Sequence, residues 1–290
     1  MTRSSWKTWL ALTPALLVVG ILFGGSLLYG VLQSLGYLTI IDQRELSFEA
    51  YRRVLSGTGT AGREFWPSLA FSLWVSTIST LLAAAGAVIL AVLLSDYRRP
   101  VGRTELLALN LNLAFPHLVW AIGLLLLFSQ SGLLARIAAA LGWIAGPADF
   151  PVLVRDRQGF GIIIDYVSKE IPFLTLVVLA VLRTQAAPYD AVAENLGASR
   201  WQRIRYVTLP LALPALAGGS LLVFAFVFGA YEVPALLGVR YPRVLAVLAL
   251  DLFVNADLRV RSEAMAISLL MTAAILGVAL IARSIGRAAR

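Results

Sequence analysis

Polar side chains are rare in the apolar stretches of this sequence, and those that occur there are the first candidates for chemistry. Asp165, Tyr166 and Lys169 lie in one apolar stretch, and His117 and Trp120 lie in the stretch before it. Polar groups at membrane depth usually contact a solute or one another, because facing lipid is costly. The i,i+4 spacing of Asp165 and Lys169, with the acid first, favours a structural ion pair at the membrane edge over a solute contact.

Two further positions have both a structural and a solute-binding interpretation. Pro116, immediately before His117, predicts a kink in its helix, and neighbouring helices could satisfy the polar groups there. Further along the chain, Phe228 and Glu232 share one helical stripe, with Tyr231 beside it. Aromatic stripes usually serve packing, and a place along a solute route is the alternative.

The residue inventory excludes several kinds of active site. The chain has no cysteine and a single histidine, which rules out disulfides, thiolate metal sites and a cysteine nucleophile, and argues against a histidine-rich metal site. No Gly-x4-Gly-Lys-Ser/Thr sequence occurs, and neither Lys7 nor Lys169 follows a glycine, so the chain carries no P-loop for a nucleotide. We therefore predict no catalytic residue, no metal ligand and no cofactor in this chain.

The elements that must position these residues are membrane-spanning helices. Of the 290 residues, 59% are hydrophobic and 14% are charged, whereas about a quarter of a soluble domain is charged. The net charge of +8 comes mainly from arginines scattered among the polar segments, which argues against a nucleic-acid-binding face. The composition predicts an all-α, polytopic protein that forms a single transmembrane domain over residues 1–290.

Six stretches are long enough to cross the hydrocarbon core, which takes about 20 mainly apolar residues. The first is too long for the core of a signal peptide, so we expect an uncleaved anchor. Two shorter runs, 133–145 and 244–254, are expected to lie along the surface or to pack on the bundle. Basic residues are divided equally between the two sides and do not orient the chain. The six predicted spans are 9–35, 69–94, 106–128, 162–182, 211–237 and 264–282.

The polar segment between the fourth and fifth spans is longer than a simple turn requires. Residues 189–196 can form a short helix, and Gly197 suits the left-handed conformation that ends one. Ser199, with Gln202 three residues later, is a capping-box pattern that begins a second helix, and Pro210 is expected to limit it. The pattern predicts a helix–glycine–helix elbow that exposes a tryptophan and arginines, a shape suited to docking. A solvated connector is the alternative.

This elbow resembles the EAA loop of the membrane subunits of binding-protein-dependent ABC importers. Gly197 is followed, after nine residues, by VTLP at 207–210, as in that loop. Where the family has Glu-Ala-Ala, residues 191–193 read AVA, with Asp190 and Glu194 on either side. The resemblance extends to KEIPFLTLVVLAVL in the fourth span and to FVFGAYEVPALLG at the end of the fifth.

The resemblance implies a type I ABC importer permease with six transmembrane helices, in a bacterial cytoplasmic (inner) membrane, with both termini cytoplasmic. The loop at 183–210 would insert into a cytoplasmic ATPase subunit, and that subunit would bind the ATP and magnesium. The implied partners are two ATPase subunits, a second permease (a paralogue or a second copy), and a periplasmic or lipid-anchored solute-binding protein. The residues assigned to ATPase coupling are Ala193, Glu194, Gly197, Ala198, Arg200, Trp201, Arg205 and Pro210.

The same resemblance implies a small solute, with polyamines, opines and phosphonates as the first classes. Permeases for ferric iron, thiamine and sulfate or molybdate are further relatives. An ion-coupled secondary transporter is the alternative function; it would need its own ion site near the midplane and usually shows internal repeats, and the two halves show no repeat. The residues assigned to the solute pathway are His117, Trp120, Asp165, Tyr166, Phe228, Tyr231 and Glu232.

Overall fold

The computed structural model describes residues 3–94 and 102–288, and within these ranges every regular element is a helix. The predicted all-α class is therefore confirmed. The α-helices are α1 (Arg3–Ser34), α2 (Glu49–Leu55), α3 (Gly59–Leu94), α4 (Arg103–Ala114), α5 (His117–Phe128), α6 (Leu133–Ala140), α7 (Phe160–Val181), α8 (Ala187–Asn195), α9 (Arg200–Arg203), α10 (Leu209–Gly229), α11 (Glu232–Leu237), α12 (Leu245–Phe253) and α13 (Arg261–Ala288). Two π-helical turns occupy Leu182–Ala186 and Ile204–Thr208.

Five helical stretches of the described residues are long and apolar enough to cross a membrane. The fourth predicted span is not among them, although α7 has 22 residues and is about 33 Å long at the usual helical rise. It fails on composition because Asp165, Lys169 and Glu170 lie within it, all three buried. The six-span count therefore stays a prediction, with α7 as the remaining span. The five stretches are Thr8–Ser34, Gly59–Leu94, His117–Ala140, Arg200–Gly229 and Leu258–Ser284.

The chain divides into two compact units, one formed by residues 1–66 and 248–273 and the other by 67–247 and 274–290. In the first unit, the apolar length of α1 is exposed, and Arg53 of α2 pairs with Glu263 at 3.4 Å. In the second unit, α7 runs through the core, where its buried Ile162 and Tyr166 belong to one apolar cluster with Phe71 of α3. That a single domain covers the whole chain stays a prediction.

The third predicted span is broken rather than kinked. Phe115 and Pro116 have extended backbones, with ψ of 133° and 146°. Proline has no N–H to donate and disfavours a helical conformation at the preceding residue, so α4 ends at Ala114 and α5 begins at His117. The prediction of one continuous helix over 106–128 was therefore wrong.

The fifth predicted span also differs from the structure at both ends. The chain does not break at Pro210, because α9 passes through the π turn Ile204–Thr208 into α10 with helical backbone at the joins. Proline offers no N–H for the bond to residue i−4, and the π turn just before Pro210 already replaces the regular α-helical bonding at this point. At the other end, α10 stops at Gly229 and Ala230 is extended, with ψ of 139°. The two shorter apolar runs form α6 and α12, and both carry buried residues.

Candidate functional site

The elbow between α8 and α9 is built by local hydrogen bonds, as the sequence predicted. Gly197 has φ of +82°, which is the left-handed conformation that ends helices. Its N–H donates to the carbonyl of Glu194 at 2.9 Å, and the N–H of Ala198 donates to the carbonyl of Ala193 at 3.0 Å. These two bonds are the pair that defines a Schellman motif. The predicted glycine-terminated helix is confirmed.

The second half of the elbow begins with the predicted capping box. The Ser199 N–H donates to Gln202 Oε1 at 2.8 Å, and the Gln202 N–H donates to Ser199 Oγ at 3.3 Å. Each side chain thereby satisfies a backbone donor that the first turn of α9 leaves free. Residues 197–202 consequently have a conformation that their own sequence specifies.

The outer surface of the elbow is apolar and basic. Leu196 is 82% exposed and Trp201 is 66% exposed. Arg200 and Arg205 are also exposed, and the guanidinium of Arg205 lies 5.7 Å from the centre of the Tyr206 ring. Tryptophan and arginine are the side chains that most often dominate binding energy at protein interfaces, so this surface is suited to binding a partner.

Arg203 is a functional candidate that the sequence reasoning missed. It belongs to α9, and its Nη1 donates to Asp190 Oδ2 at 2.9 Å and to Glu194 Oε2 at 3.0 Å, both on α8. Sequence spacing relates Arg203 to Arg200 on the same helix, whereas its ionic partners lie across the Gly197 turn. Only the reversal of the chain at that turn brings them together.

A second group of polar residues lies where α5 begins, against the middle of α7. The imidazole of His117 lies between two carboxylates of α7, with Nδ1 3.6 Å from Asp165 Oδ2 and Nε2 3.6 Å from Glu170 Oε1. The indole N–H of Trp120 donates to Ser168 Oγ at 2.8 Å. The structure therefore brings together four of the predicted pathway residues, since Tyr166 also contacts His117, with ring centres 5.8 Å apart.

Lys169 does not form the ion pair that the spacing predicted. Its Nζ donates instead to the carbonyl of Asn112 at 2.5 Å and to that of Phe115 at 2.6 Å. The last carbonyls of a helix have no partner within it, and the break after Ala114 leaves such carbonyls close to α7. A buried ammonium satisfies them. The predicted Asp165–Lys169 pair was wrong because the break was not foreseen.

Several polar atoms in the group around His117 are buried without a hydrogen-bond partner among the described residues, His117 Nδ1 among them. The same holds for both carboxylate oxygens of Asp165, the hydroxyl of Tyr166 and Oδ1 of Asn112. Asp165 and Tyr166 are fully buried. Burying an acceptor without a donor costs about 1–3 kcal/mol, so the fold retains these groups at a cost to stability.

A cavity of about 460 Å³ opens beside this group. Its polar side chains are those of His117, Lys169 and Glu170. The ring of Phe226 on α10 lies 5.0 Å from the His117 ring, centre to centre. The remaining wall is apolar and comes from Leu113, Ala114, Phe115, Pro116, Phe173, Leu222 and Val223. α7, α10 and the two halves of the broken helix thus all contribute side chains to one cavity lining.

Of the seven predicted pathway residues, His117 alone lines this cavity; Trp120, Asp165 and Tyr166 lie beside it, and the other three lie elsewhere. Phe228 is buried and stacks on Phe224, with ring centres 5.8 Å apart, which supports packing. Tyr231 and Glu232 are exposed. Glu232 begins α11, beyond the extended Ala230, so the stripe that was predicted to join it to Phe228 along one helix does not exist. Phe226 and Glu170 line the cavity instead, and no spacing in the sequence distinguished Phe226 from its aromatic neighbours.

Comparison with known proteins gives a consistent result. Residues 54–289 match the family model described as "Binding-protein-dependent transport system inner membrane component". The chain is 30% identical over 210 residues to the inner membrane ABC transporter permease protein YnjC of Escherichia coli (strain K12), covering 71% of this chain and 39% of YnjC. It therefore spans about two fifths of the length of that relative.

Two further comparisons cover more of the other protein. The chain is 32% identical over 216 residues to the molybdate/tungstate transport system permease protein WtpB of Thermococcus kodakarensis, covering 73% of this chain and 75% of WtpB. In fold it is similar to a crystal structure of a bacterial alginate ABC transporter in complex with an alginate pentasaccharide-bound periplasmic protein. The TM-score is 0.78 at 19% identity, covering 98% of this chain and 95% of that one.

Proposed function

The chain belongs to the family of binding-protein-dependent transport system inner membrane components, and from this premise we propose how it works as the permease of an ABC importer. The elbow binds a separate cytoplasmic ATPase, and the cavity beside His117 lies on the route of a small solute. The elbow and both termini then face the cytoplasm. Residues 37–67 and 240–262 face the periplasm.

The exposed surface of the elbow is the observation that carries this proposal. A short turn, held by its Schellman and capping-box bonds, presents Leu196, Trp201 and flanking arginines to solvent. The chain lacks a P-loop, so the ATP and magnesium belong to the ATPase subunits. Two such subunits, a second permease (a paralogue or a second copy) and a periplasmic or lipid-anchored solute-binding protein complete the proposed importer.

The test of docking compares two exposed tryptophans. Trp201→Ala should weaken binding of the ATPase to the purified permease about thirtyfold, because a tryptophan hot spot contributes 2 kcal/mol or more. Trp143, which is 76% exposed outside the elbow, provides the matched control, and Trp143→Ala should leave that affinity unchanged. Equal affinities for Trp201→Ala and the parent would remove the elbow from the ATPase interface.

An ion-coupled secondary transporter is the second candidate, because a helix broken near its middle is also a feature of that class. Proteoliposomes that contain the permease and its ATPase separate the two functions. The importer is supported if import requires ATP on the side of the membrane that carries the ATPase and persists when ion gradients are dissipated. Import that follows the ion gradient without ATP supports the secondary transporter.

For the solute, we propose a small organic cation such as a polyamine. The cavity presents the Glu170 carboxylate, with Asp165 behind His117, and aromatic rings including Phe226. Carboxylates and aromatic faces both attract an ammonium group. The Lys169 ammonium is occupied by two backbone carbonyls and offers little to an anion. The names of the similar proteins refer to molybdate, tungstate and alginate. These are anions, and the carboxylate of Glu170 would repel them here.

Radiolabelled spermidine and molybdate are the probes for this second proposal. In proteoliposomes with the complete importer, Glu170→Gln should raise the half-saturating spermidine concentration about tenfold, because an ion pair with a buried carboxylate is lost. Glu49→Gln, a change of an exposed carboxylate on α2, is the control. ATP-driven uptake of molybdate without uptake of spermidine would overturn the proposed solute class and leave the permease function intact.

A further inference from the structure

We propose that Arg203 is a positioning residue that holds α8 and α9 as one rigid lever, through which the elbow acts on the cavity. This inference rests on the proposed function of the elbow as the site that binds the ATPase. It assigns a role to the arginine of the elbow that faces inward, rather than to those on its outer surface.

The geometry of Arg203 suits an internal link. One nitrogen, Nη1, donates to two carboxylates at i and i+4 on the neighbouring helix, at 2.9 and 3.0 Å. The Arg203 side chain is only 21% exposed, whereas Arg200 and Arg205 are exposed. Hydrogen bonds between charged groups are about twice as strong as neutral ones, and partial burial protects this pair of bonds from solvent screening.

The bonds from Arg203 to Asp190 and Glu194 join parts of α8 and α9 that the backbone bonds near Gly197 do not join. The Schellman bonds close the end of α8, and the capping box closes the beginning of α9. Both sets of bonds lie within a few residues of Gly197. Arg203 lies at the far end of α9, and Asp190 lies near the beginning of α8. Its bonds therefore fix the angle between the two helices.

The segments on either side of the elbow are suited to bending. A π-helical turn, Leu182–Ala186, precedes α8, and another, Ile204–Thr208, follows α9. π turns interrupt the regular i to i−4 bonding and occur frequently at functional positions. A stiff body between two such turns can rotate as a unit, because deformation concentrates where the hydrogen bonding is irregular.

The elbow joins the two helices that contribute most side chains to the cavity. α7 leads into the elbow and provides Lys169, Glu170 and Phe173 to the cavity wall, and α10 leads out of it and provides Leu222, Val223 and Phe226. A rigid elbow therefore pushes or pulls α7 and α10 as one body, so that a displacement of the elbow reaches both walls while the π turns accommodate the change of angle. If the angle between α8 and α9 were free, movement of the bound ATPase would be absorbed within the elbow.

The first arm of the test measures the angle directly. The chain has no cysteine, so spin labels can be placed at Val192 on α8 and Arg200 on α9, both exposed, in the purified permease. Electron–electron distance measurement should give one narrow distribution for the parent and a broad one for Arg203→Gln. Arg203→Lys should restore the narrow distribution, because a single nitrogen makes both bonds and an ammonium can replace it.

The second arm measures coupling in the complete importer, with its ATPase and binding protein and with native residues at the two label positions. Solute moved per ATP hydrolysed should fall about tenfold for Arg203→Gln, the size expected from the loss of a charge-assisted bond, and should recover for Arg203→Lys. Arg44→Gln is the matched control, since it removes an Arg–Asp pair at 3.0 Å whose side chains are exposed.

Broadening and uncoupling by Arg203→Gln, both reversed by Arg203→Lys, would support the lever. An unchanged distance distribution or an unchanged transport ratio would overturn it. If Arg203→Gln does not bind the ATPase, recovery by Arg203→Lys supports the inference and failure to recover contradicts it. A parent complex without ATP-coupled transport would refute the proposed function, while the distance measurement would still decide whether Arg203 fixes the elbow.

Discussion

Replacing Lys169 by methionine tests the most unexpected contact in the structure. The substitution keeps an unbranched side chain, one atom shorter, and removes the ammonium that donates to the carbonyls of Asn112 and Phe115. Lys169 is 2% exposed, so water cannot readily take its place. We expect Lys169→Met to destabilise the permease and to loosen the attachment of the broken helix to α7.

The magnitude follows from the two acceptors that lose their donor. Each buried acceptor left unsatisfied costs about 1–3 kcal/mol, and the methionine recovers part of this because burying an ammonium is itself expensive. A net loss of about 3 kcal/mol is therefore expected. At about 2–4 °C per kcal/mol for domains of 150–250 residues, the apparent unfolding temperature in detergent should fall by about 6–12 °C.

A double-mutant cycle with Asp165→Asn decides between this contact and the ion pair that the sequence predicted. If Lys169 is held by the carbonyls, the cost of Lys169→Met should persist when Asp165 is already neutral. Residues that interact directly show coupling energies of about 0.5–3 kcal/mol in such a cycle. A double variant as stable as Asp165→Asn alone would show that Lys169 acts by pairing with Asp165, and our account of the break would be refuted.

Three further predictions follow from the elbow and from the exposed acid near α11. Gly197→Val should shift the equilibrium between the native and an open elbow about five- to thirtyfold toward the open form, since about 1–2 kcal/mol of backbone strain arises at positive φ. Gly197→Asn should leave that equilibrium unchanged, and equal affinity of the two variants for the ATPase would contradict this prediction. A cysteine at Val192 should react with an impermeant reagent in inside-out vesicles, and labelling in intact spheroplasts would reverse the orientation. Glu232→Gln and Tyr231→Ala should lower spermidine uptake no more than about fivefold, as for an exposed ionic contact, and a larger fall would place them on the solute route.

The elbow could be predicted almost completely from the sequence, because its structure depends on near neighbours. A glycine that permits positive φ and a serine–glutamine pair three residues apart specify the Schellman motif and the capping box, and both formed as expected. Arg203 was missed for the opposite reason. Its partners lie nine and thirteen residues earlier in the chain, and only the completed turn shows that they meet.

The cavity and the polar group beside it could be predicted only in part. The polar residues His117, Trp120, Asp165 and Tyr166 were recognised because polar groups are rare at membrane depth. The partners of Lys169 could not be recognised, because a backbone carbonyl has no signature in the sequence. Pro116 signalled a disturbance of the helix, but whether a proline kinks or breaks a helix depends on what satisfies the freed carbonyls, and that depends on α7.

The helix lengths predict how deep the break lies in the membrane. α4 and α5 have 12 residues each, or about 18 Å of helix on each side of the break, and Lys169 is close to the middle of the 22 residues of α7. If α7 is the remaining span, as we predict, a hydrocarbon core of about 30 Å would place Lys169 near its centre, where uncompensated charge is most costly. The elbow, by contrast, follows the last residues of α7 and precedes the first residues of α10. Changes in the cavity should consequently alter solute preference without altering ATPase affinity, and changes on the elbow surface should do the reverse, because the two sites share helices but no residues.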